Sequence, residues 1–119
     1  MKNNNENTEI LRRELENSSR QLFGGENAKL LLALRSKLPD LLSAYVVDWI
    51  PEQGEDIYTV IVGQDLVAVV EIDRLSAARE PLVDVYTLEE YRKEHASLSQ
   101  ERRRKLAVAL ELIKKSQST

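Results

Sequence analysis

The first apolar pattern along the chain has the spacing of an amphipathic helix. Over residues 9–23, leucines recur near one face, and two glutamates each precede an arginine by four residues, which is the stabilising order for ion pairs on a helix. Two glycines follow at 24–25. Because glycine is poor helix interior and readily adopts a positive φ, they are predicted to end the helix. The leucines that mark the apolar face are Leu11, Leu15 and Leu22.

A second helix is predicted directly after these glycines. Asn27 can cap its first turn, and the leucine-rich stretch at 30–38 is apolar on so many sides that it should contact more than one neighbour. Pro39 disfavours helical geometry at Leu38, so we expect the helix to bend or end there.

From residue 44 onward the apolar period falls to two, and β-branched and aromatic residues become frequent, which predicts β-strands. The connections are a longer hairpin loop at 51–56 and a short turn at 63–65, so neighbouring strands should pair antiparallel. The third strand is apolar on both sides, and both faces of the sheet therefore need cover. The predicted strands span 44–50, 57–63, 66–73 and 82–86.

The clearest local signal marks a helix start after the last strand. Thr87 can cap the third amide of a helix while Glu90 reaches back, and Tyr86 and Tyr91 stand where a hydrophobic staple would place them. This helix should stop near His95. A last helix is predicted from a cap at 97–100 to about residue 115, with an apolar stripe of Leu106, Val108, Ala109, Leu110, Leu112 and Ile113.

Together these elements predict an α+β fold with two N-terminal helices, an antiparallel meander of three to four strands, and two C-terminal helices. We expect one domain at 8–115, between a disordered N-terminus at 1–7 and a disordered tail at 116–119.

Composition narrows the possible chemistry. The chain has 119 residues, no cysteine and one histidine, which suits one domain and removes disulfides, thiolate metal sites and thiol nucleophiles. The single histidine, His95, excludes a site of two or more imidazoles, and no glycine-rich phosphate loop or G-x-S-x-G turn is present. We therefore expect no cofactor and no evident catalytic site. No apolar run approaches ~18 residues and no secretory signal is visible, so we expect a cytoplasmic protein without a membrane partner.

Charge is distributed unevenly along the chain. Residues 40–86 carry ten acids and only two bases, Arg74 and Arg79, a balance of −8, whereas the segments before and after have balances of +2 and +3. The predicted strands are therefore acidic, and both ends of the chain are basic.

Three of these acids suggest a metal site. If the second and third strands pair around residues 63–65, Asp56 lies opposite the region of Glu71 and Asp73, and paired carboxylates can hold Mg²⁺. A carboxylate on one strand followed by Glu-x-Lys on the next is the arrangement of restriction-endonuclease-like nucleases, but Asp73 stands where the lysine would be. A degenerate metal-dependent nuclease-like domain is thus one hypothesis. The other interpretation is a solvated hairpin whose charges keep the sheet edge soluble.

A basic run in the last helix suggests a related hypothesis, a nucleic-acid-associated factor. Consecutive helical residues lie ~100° apart, so four adjacent cations cannot all face one groove of a nucleic acid. The net charge of −3 also disfavours binding of phosphate by the chain as a whole. The run consists of Arg102, Arg103, Arg104 and Lys105.

The apolar excess of the sheet favours a protein-interaction function. A small sheet with two apolar faces is often completed by a partner, and closed two-fold dimers are the commonest assembly. The leading hypothesis is a small cytoplasmic interaction or regulatory module, homodimeric or bound to a protein partner through the second face of the sheet or the acidic hairpin. Tyr45, Trp49 and Tyr58 would be its anchors, because aromatic side chains dominate such contacts. An alternative of equal weight is that the first helix folds over the second face, or that the strands curl over the core.

Overall fold

The computed structural model describes the backbone of residues 2–63, 65–76, 78–94 and 100–117. Within these ranges the chain has the predicted α+β fold, with helices before and after one four-stranded sheet. The elements are α1 (Lys2–Phe23), α2 (Ala28–Lys37), β1 (Ala44–Glu52), β2 (Glu55–Val62), β3 (Leu66–Asp73), β4 (Leu82–Thr87), α3 (Leu88–Glu94) and α4 (Gln100–Gln117).

The sheet is an antiparallel meander in the order β1-β2-β3-β4, as predicted. Its first hairpin is tighter than expected, because β1 and β2 remain paired as far as Glu52 and Glu55 and turn through Gly54 at a φ of 87°. The predicted loop at 51–56 is therefore wrong. Pro51 is accommodated within β1 because β1 is an edge strand, where a missing amide is tolerated.

The boundaries of α1, α2 and α3 agree with the sequence signals except at the start of α1. Helix α1 begins at Lys2 rather than at residue 9, and the polar stretch that precedes residue 9 contains no proline or glycine to stop a helix. The disorder predicted for 1–7 and 116–119 and the domain extent of 8–115 stay predictions. His95 and the cap predicted at 97–99 lie outside the described residues.

No helix in the described part of the chain is both long and apolar enough to cross a lipid bilayer.

The two glycines end α1 as predicted. Gly25 adopts a φ of 91°, and a Cβ on Gly24 would lie 2.7 Å from the carbonyl oxygen of Arg20. Both positions therefore exclude most other residues, one by its dihedral angle and the other by the close approach of backbone. The chain turns sharply here and starts α2, where the Asn27 Oδ1 accepts a hydrogen bond from the Leu30 N–H at 3.4 Å.

The predicted capping box at the start of α3 is confirmed. The Thr87 N–H donates to Glu90 Oε1 at 2.9 Å, and the Glu90 N–H donates to Thr87 Oγ1 at 3.1 Å. Tyr86 and Tyr91 pack with ring centroids 6.5 Å apart, as the hydrophobic staple requires. The bonds from Thr87 lower the pKa of Glu90.

Helices cover both faces of the sheet. The first face, which carries Val60, packs against α2 and the end of α1, and the second face, which carries Ile61, packs against α1, α3 and α4. The sequence left two possibilities open, and the structure has the one in which the first helix folds over the second face. The apolar stripe of α4 contributes to this cover with Leu106, Val108, Ala109 and Ile113 buried and Leu110 and Leu112 partly buried.

A β-bulge in β1 changes which side chains share a face. Val46 pairs with Val60 and Asp48 pairs with Thr59, so Val47 is an additional residue that has no partner of its own on β2. An extra residue reverses the alternation of side chains beyond it. Trp49 therefore lies on the first face, although simple alternation predicted that it would share a face with Val47.

Helix α1 passes along the edge of the sheet formed by β1. Leu15 is buried under the second face and Leu22 under the first, so the helix crosses from one side of the sheet to the other. At the crossing point the Val46 N–H donates to Ser18 Oγ at 3.1 Å, and the Ser18 hydroxyl donates to the Leu15 carbonyl oxygen at 2.7 Å. One hydroxyl thus fastens the helix to an edge strand that would otherwise expose its amide.

Replacing Ser18 with alanine should destabilise the fold, because the partly buried Val46 N–H loses its acceptor. We expect the free energy of unfolding in a urea titration to fall by about 1–3 kcal/mol. Ser36→Ala is the matched control: Ser36 also donates to the carbonyl three residues earlier, at 2.6 Å, and the change there should stay within about 0.5 kcal/mol. Equal losses in the two variants would contradict the role assigned to the Ser18–Val46 bond.

Candidate binding groove beside the first hairpin

Trp49 and Tyr58 stack on each other on the first face of the sheet and form an aromatic platform. They are register partners on β1 and β2, and their rings lie 12° from parallel with centroids 6.4 Å apart. Trp49 is 55% exposed, whereas Tyr58 also packs against the buried core. The platform therefore has one side anchored in the fold and one side open to a ligand.

The platform is held in place by a carboxylate and an arginine. Trp49 Nε1 donates to Asp56 Oδ1 at 3.0 Å, and Arg74 Nη1 donates to the same oxygen at 3.3 Å. Arg74 also donates from Nη2 to the Glu52 carbonyl oxygen and from its backbone N–H to the Gly54 carbonyl oxygen at 2.8 Å. The residue after β3 thus clamps the tip of the β1–β2 hairpin and fixes the indole through Asp56.

A groove of about 480 Å³ separates the platform from α1 and from the turn between α1 and α2. Val46 and Leu22 supply apolar wall, and Gln21 and Glu26 stand at the helix side. Ser18 and Asn27 also line the groove, but their side-chain oxygens are already engaged. The Ser18 hydroxyl accepts a hydrogen bond from β1, and the Asn27 side-chain oxygen caps α2. Of the described residues that line the groove, Glu26 is the one that carries a charge.

The three aromatic residues predicted as anchors do not form one surface. Tyr45 lies on the second face, partly buried against the core under the helices and away from Trp49 and Tyr58. Its partial burial raises the pKa of Tyr45, and the negative charge of Glu16 raises it further. The structure therefore brings together two of the three predicted anchors and places the third, partly buried, on the other face.

The predicted metal carboxylates also lie apart. Asp56 pairs with Ile72, so Glu71 and Asp73 project from the opposite face of the sheet. Among the described residues, no three histidine, cysteine, aspartate or glutamate side chains are grouped as a metal site requires. Asp56, Glu71 and Asp73 are therefore not assembled into the site that their spacing suggested.

Asp73 has a structural task at the end of β3. Its Oδ1 accepts the N–H groups of Leu75 at 2.8 Å and Ser76 at 3.2 Å, and Oδ2 pairs with Arg79 at 3.5 Å. The hydrogen bond from Leu75 contributes most to lowering the pKa of Asp73 below its usual range, and those of Ser76 and Arg79 add to it. This carboxylate holds the turn after β3.

The basic run follows the circumference of α4, as its spacing implied. Arg103 and Arg104 are exposed, Lys105 is half-buried, and the side chain of Arg102 lies outside the described residues. The next residue, Leu106, is buried in the core. The helix face around the run is thus shared between solvent and core.

The groove includes residues that sequence reasoning missed. Gln21 precedes the paired glycines and Glu26 follows them. Nothing in the linear pattern places either residue beside Trp49 on β1, more than twenty residues later. The sequence singles out Arg74, which holds the platform, only as one of two bases in an acidic segment. Its isolation in an acidic segment is the one signal that could have marked it as an internal ion-pair partner.

Comparison with protein families, with curated proteins and with solved structures found no match to this chain.

Removing the shared acceptor at Asp56 should loosen the platform. In Asp56→Ala the indole N–H loses its bond and Arg74 loses its anchor, so we expect lower fluorescence anisotropy of Trp49, the single tryptophan of the chain. Asp65→Ala, which removes an exposed carboxylate from the next turn, is the control and should leave the anisotropy unchanged. An unchanged anisotropy in Asp56→Ala would show that stacking alone holds the ring.

Asp73→Asn should destabilise the fold in a pH-dependent way. Because folding lowers the pKa of Asp73, its ionised form stabilises the native state at pH values above its unfolded pKa of about 4, and this contribution disappears as the pH falls through the lowered value. Urea titrations should therefore find the variant less stable than the original chain at pH 7 and the difference reduced at pH 3. Asp65→Asn serves as the control. If the difference in free energy of unfolding between Asp73→Asn and the original chain is the same at pH 7 and pH 3, the stabilising role of ionised Asp73 is contradicted.

Proposed function

We propose that this chain is a small cytoplasmic protein-interaction module that binds a partner polypeptide in the groove beside Trp49 and Tyr58. The observation that carries the proposal is the aromatic platform, which is fixed by Asp56 and Arg74 yet leaves the indole 55% exposed. A large apolar side chain held rigid at the surface loses little conformational entropy when a partner covers it. Rigid exposed aromatics of this kind are the common anchors of protein interfaces.

The shape of the groove supports a polypeptide partner. Its volume of about 480 Å³ falls within the range of roughly 300–1,000 Å³ typical of binding clefts. The platform and Val46 form an apolar floor, and the polar residues stand along the helix side. An apolar floor with a polar rim is the composition of interfaces that form and dissociate.

The second face supports a further candidate, self-association into a homodimer. Helices cover most of that face, but the row nearest the hairpin includes Ile50 at 37% exposure and Leu82 at 57%. Burial of Ile50 and Leu82 between two copies would remove apolar surface from water, but Glu71 lies in the same row between them and would also lose its hydration. The dimer is secondary, because this exposed apolar surface is small and is interrupted by a charge.

Site-specific photocrosslinking tests where a partner binds. A benzoylphenylalanine in place of Gln21, which lines the groove, should give a covalent adduct in cells, and the same residue in place of Glu111 on the exposed side of α4 should not. The mass of the adduct separates a second copy of the chain from a different protein. Equal adducts at the two positions, or none, would contradict the proposed site.

Trp49→Ala should weaken the crosslinked interaction, because truncation of an anchor residue at an interface costs about 2 kcal/mol or more. We expect the adduct at position 21 to fall by at least tenfold in this variant. Leu82→Ser, which changes an exposed residue on the other face, is the control and should leave that adduct intact. A stronger effect of Leu82→Ser, together with a lower solution mass, would favour the dimer instead.

A further inference from the structure

The surface around the hairpin is acidic, and its own cations are already engaged. The segment 40–86, which contains nearly all of the sheet, carries ten acids against two bases. Arg74 pairs with Asp56 at 3.3 Å and Arg79 pairs with Asp73 at 3.5 Å. At the groove itself the charged group among the described lining residues is the carboxylate of Glu26, which attracts positively charged partners.

The groove has the groups that recognise a guanidinium. Arginine stacks on the faces of tryptophan and tyrosine, and tryptophan is the strongest of the aromatic acceptors. Trp49, which stacks on Tyr58 and is 55% exposed, supplies such a ring, and Glu26 lines the same space with a carboxylate. The chain makes a contact of this type internally, because the guanidinium of Arg35 lies 5.8 Å from the centroid of the Phe23 ring.

We infer that the groove binds an arginine side chain from a basic segment of the partner, with the guanidinium stacked on the platform and paired with Glu26. This inference rests on the proposed function and specifies the chemistry of the partner. Arginine fits better than lysine, since a planar guanidinium can stack on a ring face whereas an ammonium is a point charge. Nucleic acid could stack its bases on the same platform, but its phosphates would meet the acidic surface.

Trp49 reports directly on occupancy of the groove, because it is the only tryptophan in the chain. The probes are three capped heptapeptides on one scaffold: Gly-Ser-Arg-Gly-Arg-Ser-Gly and the versions with citrulline or leucine in place of both arginines. Citrulline keeps the shape of arginine without its charge. We expect the arginine peptide to change Trp49 fluorescence in a saturable way, to bind at least tenfold more tightly than the citrulline peptide, and to weaken with added salt.

Two variants separate a specific ion pair from a general effect of charge. Glu26→Gln should raise the dissociation constant for the arginine peptide by about threefold to fivefold, the range expected for a partly exposed ion pair. Glu111→Gln removes the same charge from an exposed position on α4 that does not line the groove, and it should leave the constant unchanged. Equal constants in the two variants would overturn the role of Glu26.

The peptide series also separates failure of this inference from failure of the proposed function. If the leucine or citrulline peptide binds as well as the arginine peptide, the groove takes polypeptides but does not select a cation, and the inference is wrong. If no peptide changes the fluorescence while the adduct at position 21 still forms, the inference is again wrong and the interaction site stands. Loss of both signals overturns both.

Discussion

The structure depends on the passage of α1 along the edge of the sheet. The Ser18 hydroxyl accepts the Val46 N–H at this crossing, so β1 has a hydrogen-bond partner where an edge strand normally has none. The same passage puts Leu15 under one face and Leu22 under the other, which connects two cores that the sheet would otherwise separate. It also brings the turn after α1 beside Trp49, and the groove exists because of that approach.

The bulge at Val47 determines what the groove contains. With regular alternation along β1, Trp49 would project toward the helices of the second face, where Val47 is buried. The extra residue turns the indole to the first face beside Tyr58 instead, where it stays half exposed. Bulges often re-aim a side chain at functional positions. A large aromatic side chain turned outward by such an irregularity is the feature on which the proposed binding function rests.

The acidic residues of the hairpin region have different tasks, although their spacing made them look like one set. Asp56 fixes the indole and receives Arg74, while Asp73 holds the turn after β3 and pairs with Arg79. Both arginines of the segment 40–86 are therefore engaged in structural ion pairs. Glu26 is the charged group that remains in the groove beside the aromatic platform, and it bears on the kind of partner that the groove would accept.

The sequence by itself determined the helix caps, the glycine stop and the order of the strands, because each of these signals acts within a few residues. The glycine stop after α1, the Asn27 cap, the Thr87–Glu90 capping box and the antiparallel order of the strands all follow from short-range backbone chemistry. Only the tertiary structure decided which face Trp49 occupies and what lies opposite it. A bulge depends on how two strands pair, and the position of the turn at residue 26 depends on packing between segments far apart in the chain. Neither feature therefore shows in the pattern of apolar and polar residues along the sequence.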